Sequence, residues 1–131
     1  MKLIFLPHSP YSSQARFIAF IWTLLIFIGC LFPSRQLPHV AVPFIDKWTH
    51  FVMFGIFTFL WLCAKPTYTA VYVVRVLVAG ILLGCAIEVL QGTLTTLGRS
   101  MELLDAIADA VGALLGIAVY MSGRKLSMVK Q

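Results

Sequence analysis

Between Glu88 and Gly116 the chain sets Glu88, Gln91, Arg99, Asp105 and Asp109 into surroundings that are otherwise almost continuous hydrocarbon. Nothing else in the sequence narrows the possible folds as much. Charge in such surroundings costs free energy, about 2.5–3.5 kcal/mol for one carboxylate at a bilayer centre on insertion scales. It therefore marks a functional site or a tightly paired network.

Composition supports the setting. Of 131 residues, 60% are hydrophobic and 11% charged, with mean hydropathy +0.94. Soluble domains carry about 25% charged residues, so this is a membrane composition, and the length suits one all-α unit without a second domain. The net charge of +5 does not point to nucleic acid, because the basic residues punctuate apolar runs instead of lining one face. Cys30, Cys63 and Cys85 fall in separate apolar runs without metal-ligand spacing. That argues against a disulfide framework or a zinc site and for packing.

Four membrane-spanning helices are expected, over about 17–32, 48–64, 71–91 and 102–121. The first is short for a hydrocarbon core of about 30 Å. A cleaved signal peptide competes with it, since Phe27-Ile28-Gly29-Cys30 faintly resembles a lipoprotein box. The aromatic residue three before the cysteine and the long charged leader argue against cleavage. Pro33, Pro38 and Pro43 make a loop before the second span, and Lys65-Pro66 ends that span. Arg75, one turn inside the third, can snorkel to the headgroups.

The basic residues set an orientation. Cytoplasmic N- and C-termini put Lys2, Arg16, Lys65, Arg75, Arg124, Lys125 and Lys130 inside, against Arg35, Lys47 and Arg99 outside. All five acidic residues, Asp46, Glu88, Glu102, Asp105 and Asp109, then fall in or near the outer half.

Helical spacing gathers the polar groups further. Gly80, Gly84, Glu88 and Gln91 share one face of the third helix; Asp105, Asp109, Gly112 and Gly116 share one of the fourth. Glycines at this spacing let membrane helices approach closely. Glu88 and Asp105 should lie at similar depth, with Arg99 folding over either as a clasp. Surplus carboxylates beside one arginine favour instead a hydrated pocket. Asp46, Lys47 and His50 open the second helix and add a third wall. Taken singly, Asp46 suits a helix N-terminus and Lys47 an interface anchor. His8 and His39 lie in loops and receive no role.

The ordered set Asp46-Lys47-x-x-His50, Glu88-x-x-Gln91, Arg99, and Asp105 with Gly112 and Gly116 resembles the VanZ-like family of small bacterial membrane proteins, over roughly Pro33 to Tyr120. One departure is Asp109, where the family commonly has asparagine. The resemblance implies a multi-pass protein of the bacterial inner membrane with a cell-envelope role, linked through the family's namesake to the glycopeptide teicoplanin. It does not supply a reaction.

Two functions follow. In the first, the protein binds an anionic lipid or lipid-linked precursor, with Lys47 and Arg99 on phosphate and Asp46, His50, Glu88, Gln91, Asp105 and Asp109 completing the site. In the second, it is an enzyme on such a lipid, with His50 or Glu88 as general acid or base, Asp46 or Asp105 orienting it, and Arg99 stabilising phosphate charge. No serine or cysteine is placed as a nucleophile. A small ion-coupled transporter is a third reading. No cofactor is expected, although a divalent cation could sit on Asp105, Asp109 and Glu88. The partners are the lipid bilayer and, potentially, further copies of the chain.

Overall fold

A computed structural model of the chain describes residues 9–33, 36, 42–65 and 69–129. It contains four helices, α1 (Ser12–Cys30), α2 (Ile45–Cys63), α3 (Ala70–Thr93) and α4 (Leu103–Val129), with a 3₁₀ turn, Thr95–Leu97, between the last two. No strand occurs among the described residues. Lys2, His8, Arg35, Pro38, His39, Pro66 and Lys130 lie outside them.

Three of the four helices, α1, α3 and α4, are long and apolar enough to cross a membrane. The expected fourth span, α2, does not meet that measure, because Asp46, Lys47 and His50 fall within its first six positions. Each helix also departs from its expected bounds for a local reason. Ser12 rather than Phe17 opens α1, since Gln14, Ala15 and Arg16 are good helix formers. Phe44, in the left-handed region at φ 57°, turns the chain into α2. Asp46 thus sits in the first helical turn, where a negative charge complements the helix dipole. Thr69 caps α3 by accepting from the Tyr72 N–H. The last helix continues past Met121 to Val129, because Arg124, Lys125 and Leu126 favour helix and carry it across Ser122-Gly123.

Consecutive helices run in opposite directions, so the start of α2, the end of α3 and the start of α4 meet at one end of the bundle. The tightest packing joins α2 to α4. A Cβ on Gly112 would collide with the Phe51 carbonyl, and one on Gly116 with the Gly55 carbonyl. The glycines of α4 therefore serve contact with α2, not with its sequence neighbour α3. On α3 a Cβ at Gly80 would meet the Phe57 ring at an ordinary 3.5 Å, whereas one at Gly84 would come within 2.5 Å of Asp109 Oδ2. Of these two, Gly84 is the glycine that α3 requires.

Apolar packing divides into two clusters. Ile26, Cys30, Phe54, Phe57 and Ile87 lie toward the polar end; Leu62, Cys63, Val76 and Tyr120 lie toward the other. Cys85, contrary to the packing expectation, is exposed, and all three cysteines are unpaired. Because lipid is as apolar as leucine, association also needs polar links between helices. Trp22 Nε1 donates to the Met53 carbonyl at 2.9 Å, and Tyr72 Oη to the Trp61 carbonyl at 2.7 Å.

Candidate functional site

The polar end has two layers. At its mouth lie Asp46, Lys47, Arg99 and Glu102. Beneath them His50, Glu88, Asp105 and Asp109 are each at most 2% exposed. The layers follow from helical spacing: Asp46 and His50, and likewise Glu102 and Asp105, are about one turn apart, so the second of each pair projects deeper.

In the mouth each cation is held by carboxylates. Arg99 donates from Nη1 to Asp46 Oδ1 at 3.2 Å and from Nε to the Phe32 carbonyl at 3.1 Å. The left-handed turn at Gly98, φ 63°, precedes this arginine. Lys47 Nζ pairs with Glu102 Oε2, lies 3.0 Å from Asp105 Oδ1, and is 3.9 Å from Asp46 Oδ2. The Asp46 and Glu102 side chains are 43% and 44% exposed, against 20% for Lys47 and 13% for Arg99. The carboxylates are thus the more accessible partners.

The buried layer centres on one pair. His50 Nδ1 and Asp109 Oδ1 are 3.0 Å apart and almost fully shielded. Gly84 leaves the space that the Asp109 carboxyl fills. Glu88 Oε2 accepts from the Glu102 backbone N–H at 2.7 Å, satisfying a donor at the start of α4 that would otherwise be orphaned. Glu88 Oε1, Asp105 Oδ1 and Asp109 Oδ2 are buried without a hydrogen-bond partner.

Several sequence expectations change here. Arg99 does not clasp Glu88 and Asp105. It reaches Asp46 instead, while Lys47 neutralises Asp105 and Glu88 caps α4. The partner that orients His50 is Asp109, not Asp46 or Asp105. Gln91 turns away from the acids and donates from Nε2 to the Cys30 carbonyl at 2.7 Å, tying α3 to the end of α1. Glu102, left out of the expected binding set, pairs with Lys47. Its signal in the sequence was its place one turn before Asp105. An apolar groove of about 320 Å³, lined by Phe51, Gly55, Phe59, Leu115 and Val119 among others, opens between α2 and α4. It begins one residue from His50.

Five carboxylates face two permanent cations, so the site carries surplus negative charge when all are ionised. Ligand atoms of Asp46, His50 and Asp105 lie within 4.8 Å of one another. Among the described residues these are the three ligand groups close enough together to hold a metal ion; the expectation named Asp105, Asp109 and Glu88.

A family model described as VanZ/LLP1 matches residues 1–126. No curated protein and no solved structure matches the chain.

Proposed function

Because the chain belongs to the VanZ/LLP1 family and gathers its charges at one end of an apolar bundle, we propose that it is a cell-envelope membrane protein that binds the headgroup of an anionic lipid or lipid-linked precursor. All four helices cross the bacterial inner membrane in this reading. The basic-residue asymmetry supports cytoplasmic termini and a polar end at the outer face.

The observation that carries it is the state of Lys47 and Arg99. Each is partly shielded, and each is paired at the mouth to a half-exposed carboxylate, Glu102 or Asp46. A phosphate group can displace those carboxylates toward solvent and take over the cations, which prefer a charge-assisted bond in either state. The adjacent groove between α2 and α4 suits an apolar chain attached to that headgroup.

Native mass spectrometry of the protein, released from vesicles of mixed phosphatidylglycerol and phosphatidylcholine, tests the reading. The wild type should retain phosphatidylglycerol, and Arg99→Ala should lose it while keeping its helix content. Equal retention of the two lipids by the wild type would refute it. An envelope link of the kind the family's namesake has with teicoplanin is tested by comparing susceptibility with and without the protein.

A second reading, an enzyme acting on the same lipid class, is favoured by the His50–Asp109 pair. An ionised Asp109 accepts a hydrogen bond from Nδ1–H and leaves Nε2 to accept a proton from substrate. Turnover should then fall about 10²–10⁴-fold in Asp109→Asn while lipid retention persists. No turnover by the wild type on phosphatidylglycerol or a polyprenyl phosphate would sink it.

A further inference from the structure

We propose that Asp46, His50 and Asp105 form a binding site for a divalent transition-metal ion, with Asp109 as the carboxylate that orients the histidine. The three ligand atoms already lie within 4.8 Å of one another, and they come from α2 and α4, the two helices whose backbones touch at Gly112 and Gly116. The site is therefore built on the closest helix contact in the fold.

Asp109 is what separates this set from an ordinary acidic cluster. Metal-bound histidines usually donate their second ring N–H to a carboxylate, which fixes the tautomer and raises the basicity of the ligating nitrogen. His50 Nδ1 stands 3.0 Å from Asp109 Oδ1 with both side chains 1% exposed, so Nε2 is the nitrogen presented to an ion.

Asp105 supplies an independent indication. It is 2% exposed, and the partner its Oδ1 has is the Lys47 ammonium, 3.0 Å away. That ammonium also stands 3.9 Å from Asp46 Oδ2. One positive charge thus lies between the two carboxylates that an ion would bridge. Glu102, already paired with Lys47, can keep that ammonium when an ion takes its place.

The donor set decides the class of ion. One imidazole with two carboxylates suits zinc, manganese or iron better than magnesium, which prefers oxygen alone and keeps its waters. The ion would also offset the surplus negative charge, making the mouth more receptive to a phosphate. The site itself stands whether or not a headgroup binds.

The test uses purified full-length protein in a phospholipid-free zwitterionic detergent, stripped with a chelator and titrated with Zn²⁺, Co²⁺ and Mg²⁺. The expected result is one Zn²⁺ per chain, weaker Mg²⁺, and a visible Co²⁺ absorption band. Asp109→Asn should weaken Zn²⁺ about 10–100-fold. His50→Gln should lose the Co²⁺ band, and Arg75→Gln, at the far end of the bundle, should change neither. Should His50→Gln not fold, the near-isosteric Asp109→Asn decides. Absence of saturable Zn²⁺ binding, equal affinity for Mg²⁺, or wild-type Zn²⁺ affinity in Asp109→Asn would each overturn the proposal.

Discussion

At one end of the bundle five carboxylates crowd around Lys47, His50 and Arg99. At the other, Arg16, Lys65, Arg75, Arg124 and Lys125 occur without an aspartate or glutamate. The two ends solve the same problem, charge beside hydrocarbon, in different ways. In the basic group Arg16, Arg75 and Lys125 are exposed, and long side chains of this kind can carry their charge away from an apolar and aromatic packing layer. Tyr72 bonds the Trp61 carbonyl, and Lys65 Nζ lies 4.6 Å from the centre of the Tyr72 ring. In the acidic group the short carboxylates cannot reach out, so they must be neutralised where they stand. The basic end can lose a charge cheaply; the acidic end cannot.

Matched substitutions test that contrast. Lys47→Met leaves Asp105 buried without its counter-charge. Removing one member of a buried pair costs about 3–5 kcal/mol, and the partial exposure of Lys47 trims this to about 2–3 kcal/mol. Lys65→Met removes a cation–ring contact worth about 0.5–1 kcal/mol. Denaturation of both variants in the same detergent checks the pair, and equal losses would erase the distinction between the ends.

Two glycines one turn apart on α3 sharpen it. Gly84→Ala drives a methyl group against the Asp109 carboxyl and should cost about 1–3 kcal/mol, as overpacking does. Gly80→Ala meets Phe57 at ordinary contact distance and should be neutral, or stabilising by up to about 1 kcal/mol through helix propensity. The difference in midpoint between the two variants is the measurement. A small loss is expected at the basic end. Tyr72→Phe removes one interhelical hydrogen bond, worth about 0.6 kcal/mol on average in membrane proteins, and a loss several times larger would mean that this end too relies on polar links.

Much of the layout was legible in the sequence. Apolar runs and their breaks locate the helices, and carboxylates in hydrocarbon announce the site, because both signals are local and energetically costly to violate. Partner choice was not legible. Arg99 lies in sequence between Glu88 and Asp105, yet the turn at Gly98 and the end of α1 direct it to Asp46. Gln91 shares a helical face with Glu88 but is captured by the Cys30 carbonyl, which only tertiary packing brings near. Gly112 and Gly116 advertise close approach without saying to which helix, and Gly55 on α2 completes the answer. Asp109 looked like a deeper addition to an acidic cluster. Its pairing with His50 depends on the space at Gly84, a relation among three helices that no spacing rule encodes.

The length of α4 has a mechanical consequence. Its 27 residues extend about 40 Å at 1.5 Å per residue, against a hydrocarbon core of about 30 Å. Arg124 and Lys125 follow Asp109 on the same uninterrupted rod, about 22 Å further along. A bilayer surface that grips those two cations, at about 1 kcal/mol each on an anionic leaflet, would act as a stop on a gauge. The depth at which His50 and Asp109 sit would be metered from the opposite leaflet, so the thickness of the membrane itself would tune how deep that pair lies.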